Sequence, residues 1–338
     1  MASLKETKER ITSVKSTLKI TSAMKMVASA KLHKAQSAIE NMLPYERKLQ
    51  EMLQLLLASL NDIERSEVGI FSSQAGGGSP FTTRATLGNV RGGTLQGGAE
   101  RSEAVGKGLT ANGDFLEDKY GRSKVAIVAV SSNSSLCGGF NSNAIRETRN
   151  RIAELTSAGE RIEVISVGKK MAEAMRKAGY PSSDWSDLLN HPSYQSAADF
   201  ARTQLVEQFN DGKYSRIELI YNHFVSTSSQ KARVETYLPM DIASSVQPGQ
   251  NVSVPEDFIL EPTAREILEG LRPQVLALRI YTVILDSLAA EHAARTVAMQ
   301  TATENGENIL QELTLEYNKG RQQKITNEIL DIVGGSLK

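Results

Sequence analysis

The chain has 338 residues, 40% of them apolar, and its 39 basic and 39 acidic side chains cancel; the length admits two domains, and the net charge points to neither nucleic acid nor an acidic substrate. A single cysteine, Cys137, excludes an intramolecular disulfide and a multi-cysteine metal site, and His33, His191, His223 and His292 show no ligand spacing. No run of 18 apolar residues occurs, so no membrane span is expected.

Residues 3–60 read as one helix. Leu4, Ile11, Val14, Leu18, Met24, Val27, Ala28, Ala35 and Ile39 recur at three- and four-residue spacing, and Leu53, Leu56, Leu57 and Leu60 end the stripe. Ser3 followed by Glu6 suits a capping box, and Pro44 is expected to bend or locally break the helix. Residues 1–50 carry ten Lys/Arg against four acids, so this helix is basic. The basic, serine-bearing start has some likeness to a mitochondrial presequence, but Glu6, Glu9 and the length of the helical pattern argue against one. Small residues in the middle of the stripe, Ala23, Ala28, Ala30, Ala35 and Ala38, allow a second helix to approach closely.

Residues 61–122 change character. Twelve of the 25 glycines fall between 70 and 122 with few large apolar residues, which predicts a Gly-rich flexible insertion. Its glycine pairs lack the flanking strand, lysine and helix of a phosphate loop.

Residues 123–262 alternate strand and helix. An apolar run over 124–131 predicts a strand buried on both faces; a Cys137-Gly138-Gly139 turn and a helix over 141–155 follow. Strands are expected at 162–167, 217–221 and 234–238, and helices at 169–178 and 197–209. Proline-bearing residues 240–262 lead into residues 263–338, where Ile267, Leu271, Val275, Leu278, Ile309, Leu313 and Tyr317 lie on one helical stripe. Such a helix, about 100 Å long at 1.5 Å per residue, needs a partner of similar length, and the N-terminal helix supplies it. The expected fold is α/β plus long helices: an antiparallel coiled coil of the N- and C-terminal helices with a small Rossmann-like, mainly parallel α/β domain.

The candidate chemistry is sparse. Gly138 and Gly139 follow the first strand where an α/β fold holds a phosphate, but no fingerprint spacing accompanies them, and a packing role is favoured. Cys137 has no base placed to activate it, and Asp184, Asp187 and His191 read as a polar loop before a metal site. No cofactor or metal is expected. Lys15, Lys19 and Lys25 beside Met24, Met26 and Val27 suit docking to acidic loops of a protein partner, with a plain solvated face as the alternative, whereas nucleic acid or a membrane surface would call for aromatic anchors that residues 1–44 lack. From these residues alone, a nucleotide-binding α/β enzyme with oligomerisation arms and a coiled-coil scaffold stay open.

A family likeness goes further. Residues 11–28 (Ile-Thr-Ser-Val-Lys-Ser-Thr-Leu-Lys-Ile-Thr-Ser-Ala-Met-Lys-Met-Val-Ala) resemble the N-terminal helix of the ATP synthase gamma subunit. So do residues 291–299, 302–306 and 317–328 in the C-terminal helix, and 136–141, 221–224 and 238–239 in the middle. The resemblance implies a rotor: a coiled-coil shaft inside a ring of alpha and beta subunits, with the α/β domain near the epsilon subunit and the c-ring. Ion-driven rotation would be coupled to ATP chemistry on the beta subunits, and this chain would be non-catalytic. Placement would be peripheral, on the cytoplasmic face of a bacterial inner membrane, with indirect membrane association. It further implies contacts to beta-subunit loops at Met24, Lys25, Arg295, Gln322 and Thr326. The insertion after Gly69, the single cysteine, and Ser134 and Ser135 in the glycine turn depart from the family's common pattern.

Overall fold

The computed structural model describes residues 4–59, 124–240 and 260–336. Ser3 and the residues of the Gly-rich stretch lie outside these, as do 241–259. In chain order the elements are α1 (Leu4–Ser59), β1 (Lys124–Val130), α2 (Phe140–Ser157), β2 (Arg161–Val167), α3 (Lys169–Lys177), α4 (Asp187–Asn190) and α5 (Tyr194–Phe200). A π-helical turn (Ala201–Val206) joins α5 to α6 (Glu207–Asn210), followed by β3 (Tyr214–Ser226), β4 (Ser229–Leu238) and α7 (Ala264–Ser336).

The sheet order is β2-β1-β3-β4; β1 is parallel to both neighbours, and β4 is antiparallel to β3. Because successive side chains of a strand face opposite ways, the continuous apolar run of β1 serves two cores. Val125, Ile127 and Ala129 pack with Ala144, Ile152 and Leu155 of α2 and Met171 and Met175 of α3. Ala126, Val128 and Val130 face the other way, toward Phe200 of α5 and toward Leu276, Ile280, Val283, Ile284 and Leu288 of α7. Each such large side chain contributes roughly 1.5–3 kcal/mol on burial, so five of them outweigh any exposed ion pair, worth about 0–1 kcal/mol. The long helix is therefore part of the domain's core.

The described helical pair is antiparallel. Leu53 and Leu56 meet Leu268, and Leu32 and Ala35 meet Ala289 and Ala293. The Thr303 hydroxyl donates to Thr21 Oγ1 at 3.0 Å, and Gly306 and Gly320 lie against Leu18 and Leu4. As the contact moves toward the start of α1 it moves toward the end of α7. An 18-residue window of α7 is apolar enough by length and composition to cross a membrane, and 61% of it is buried within the protein.

Three expectations need correction. α1 runs through Pro44 as one helix. The missing N–H costs a hydrogen bond, but the following turns are pinned by Leu49, Leu53 and Leu56, all buried, and by Glu46, 3.8 Å from Arg279 of α7. Second, β3 spans 13 residues and β4 ten, forming a long hairpin that the short apolar runs did not reveal. The polar end of β3 is held by tertiary bonds: Asn222 Nδ2 donates to the Phe140 carbonyl at 3.0 Å, and the Phe224 N–H donates to Asp286 Oδ1 of α7 at 2.9 Å. Third, the segment expected as a helix over 197–209 starts at Tyr194, where Ser193 forms a capping box with Ser196, and contains the π turn.

Candidate functional site

The glycine turn after β1 is where a nucleotide would sit in an α/β fold, and here α7 occupies the approach. Gly138 adopts φ +56°, and a Cβ there would lie 3.7 Å from Ala298 Cβ and 4.0 Å from the Ala294 carbonyl oxygen. Cys137 is buried with Ala290 and Ala294 of α7, and its Sγ accepts from Asn141 Nδ2 at 3.2 Å. The turn thus joins the sheet to the long helix. Asp184 accepts from the Ser186 N–H at 3.0 Å and Asp187 from Asn190 Nδ2 at 3.3 Å, so these carboxylates order their own loop. Among the described residues no group of three or more His, Cys, Asp or Glu is placed to hold a metal ion.

Arg295 completes the join. Its guanidinium donates to the Ser135 carbonyl and to Ser134 Oγ, both at 2.9 Å, and to Glu291 Oε1 at 2.5 Å. The first two bonds span some 160 residues of sequence and hold the turn in a shape that includes Leu136 at φ +67°. A left-handed non-glycine residue costs roughly 1–2 kcal/mol, and charge-assisted bonds of this kind, at about 1.5–3 kcal/mol each, are of the size needed to offset it. Leu136 itself is exposed.

A groove of about 410 Å³ opens beside this clamp, with Met24 and Lys31 from α1, Ser134 from the turn, and Glu291, His292 and Arg295 from α7 among its walls. Ile20 and Val27, also in its lining, are more than half exposed, as is nearby Met26. Burial pushes the Glu291 carboxyl up, against the pull of Arg295 and Lys31. Burial, reinforced by the positive charges of Lys31 and Arg295, pushes the His292 imidazole down to about 4.

The five residues singled out from sequence fall into two places. Met24 and Arg295 line the same groove, and Lys25, half-buried, adjoins Met24 on α1. Gln322 and Thr326 lie on exposed turns of α7, roughly 40 Å along the helix from Arg295 at 1.5 Å per residue. There the Thr326 hydroxyl donates back to the Gln322 carbonyl at 2.9 Å. Sequence reasoning missed Glu291 and His292; the signal available was their position one turn before Arg295, on the face that meets small residues of α1.

A helical pair keyed at one end into an α/β core and bare at the other has the build of a mechanical shaft. A family model described as ATP synthase matches residues 3–337. The chain belongs to the ATP synthase gamma-chain family, as its relatives also show. The ATP synthase gamma chain of Bacteroides fragilis is 44% identical over the full length of both chains, that of Phocaeicola vulgatus 43% over the full length of both. That of Flavobacterium johnsoniae is 38% identical over 99% of this chain and 98% of its own. Among solved structures, a chain of the Euglena gracilis mitochondrial ATP synthase matches with TM-score 0.55 and 19% identity, covering 98% of this chain and 92% of that one. A chain of the Tetrahymena thermophila central stalk and c-ring matches with TM-score 0.51 and 22% identity over 84% and 99%. These two likenesses concern the fold.

Proposed function

We propose that this chain is the rotor shaft that couples ion-driven rotation of a membrane c-ring to ATP synthesis or hydrolysis on the beta subunits of an alpha–beta ring. The observation that carries the reading is the continuity of α7, which is core to the α/β domain at one end and a bare helix at the other, in a chain of gamma-chain descent. Such a shaft works by contact energy. A partner shifts an equilibrium only by binding one state better than another, so an asymmetric rod that turns inside the ring favours a different state of each beta subunit in turn.

In this reading the chain is non-catalytic, and its α/β domain faces the epsilon subunit and the c-ring. It sits peripherally on the cytoplasmic face of the inner membrane, attached through its partners. Met24, Lys25 and Arg295 form one set of contacts to beta-subunit loops, and Gln322 and Thr326 form a second, farther along the shaft. Two sets at different heights resist tilting as well as turning.

Reconstitution tests the reading. Mixed with cognate alpha and beta subunits, the full chain is expected to co-purify as one complex whose ATPase activity exceeds that of the ring without it. A chain that stays apart from the ring under these conditions is not its shaft.

A further inference from the structure

Polar bonds between the β3–β4 hairpin and α7 recur along one side of the long helix. The buried Tyr237 hydroxyl of β4 donates to the Leu276 carbonyl at 3.0 Å. The guanidinium of Arg279 donates to one oxygen of Glu235 on the same strand, and the other oxygen accepts from the Tyr221 hydroxyl of β3 at 3.0 Å. Asp286 takes two bonds from the end of β3. His223 Nδ1–H donates to one carboxylate oxygen at 2.6 Å, since a carboxylate only accepts, and the Phe224 N–H donates to the other at 2.9 Å. At 3.6 residues per turn, positions 276, 279 and 286 lie within about 80° of one another around α7 and span about 15 Å of its length.

These bonds and the apolar packing resist different motions. Leu276, Ile280, Val283, Ile284 and Leu288 hold the helix against the sheet, and apolar atoms stay in contact out to about 4.0–4.5 Å whatever their orientation. Turning α7 by about 10° carries a group about 6 Å from its axis through roughly 1 Å. That is enough to spoil a hydrogen bond, whose strength falls steeply with distance and angle. The chemistry of the bonds also fixes their order: Arg279 meets an acceptor and Asp286 meets donors, so a hairpin displaced along the helix would bring donor to donor. We propose that Arg279 and Asp286 are positioning residues that fix the angular register between the α/β domain and the helical shaft, so that twist delivered to the hairpin enters α7 without slip; their part in coupling rests on the rotor reading above.

The experiment uses the full chain assembled with cognate alpha and beta subunits anchored to a surface. A gold rod is attached through biotin at Glu160→Cys, an exposed position of the domain, while the native Cys137 is buried. With nucleotide omitted, the variance of the rod's thermal angular motion reads the compliance of the joint and the shaft. The double variant Arg279→Met, Asp286→Ala should raise that variance about 1.5-fold by removing the directional bonds. Leu276→Ala leaves all the bonded groups in place and should leave the variance unchanged despite its cost in stability. An unchanged variance in the double variant, or an equal rise in Leu276→Ala, overturns the inference. Should the double variant fail to fold, Asp286→Ala alone decides by the same criterion. Failure of the wild type to assemble overturns the rotor reading instead. The joint is then read in the chain alone, from the spread of spin-label distances between Glu160→Cys and Glu312→Cys, both exposed. A broader spread in the double variant supports the fixed register, and an equal one overturns it.

Discussion

The two ends of the helical pair are held by different physics. Around Leu268 and Leu276, α7 is enclosed on several sides: Leu53 and Leu56 of α1 cover one part of it, and the apolar face of the sheet covers another. Arg279 reaches both Glu46 of α1 and Glu235 of β4, tying the three elements together. From Thr303 onward, the described contacts are between the two helices only: Thr303 with Thr21, Gly306 with Leu18 and Gly320 with Leu4. Beyond them residues 321–333 are exposed, with Ile325, Ile329, Leu330, Ile332 and Val333 among the exposed large apolar side chains. Stability is thus concentrated at the domain end, and the described residues of the opposite end lie open.

The largest expected effect comes from attacking the enclosed end. Leu276→Ala removes a side chain that is 1% exposed, and should lower the unfolding free energy by about 3 kcal/mol, read by urea denaturation. A loss below about 1 kcal/mol would mean that the sheet and helix are less tightly joined than their packing indicates. An intermediate effect is expected at Gly306, where an added Cβ would lie 2.7 Å from Leu18 Cδ2. Gly306→Leu should cost roughly 1–3 kcal/mol through overpacking and lower amide-exchange protection near 300–320 while leaving 270–290 unchanged. Leu18→Ala in the same chain should restore part of that protection by making room. The smallest stability effect is expected at the exposed end, where Gln322→Ala and Thr326→Ala should change the unfolding free energy by less than about 0.5 kcal/mol. In the reconstituted complex the same substitutions should weaken the coupling of rotation to ATPase activity. Unchanged coupling in both would remove these two residues from the proposed contacts.

Much of this architecture is legible in the sequence because it follows from periodicity. The unbroken apolar run of β1 indicated burial on two faces, and both faces are filled. The long stripes at the chain ends indicated two helices in need of each other, and they pair as antiparallel partners. The full lengths of β3 and β4 were hidden, because Asn222 and His223 look like loop residues until Phe140 and Asp286 are brought to them. Pro44 misled for a related reason: local preference marked a break, and packing of the following turns held the helix together. At the candidate site, Met24 and Arg295 were singled out through family likeness, and the groove they share exists only in three dimensions. His292 was read as one of four scattered histidines, since a shielded ring nitrogen without a partner among the described residues leaves no mark on a sequence.

The shared burial of Leu276, Ile280, Val283, Ile284 and Leu288 against the sheet has a consequence for how twist travels. The same helix continues from Ala289 to Ser336 without interruption, about 70 Å at helical rise. No linker or swivel separates the part gripped by the domain from the part that extends away from it. Angular displacement applied to the sheet enters a single hydrogen-bonded backbone and leaves at its tip. The lag between the two ends is then set by the torsional compliance of one rod, softest where its companion helix no longer braces it.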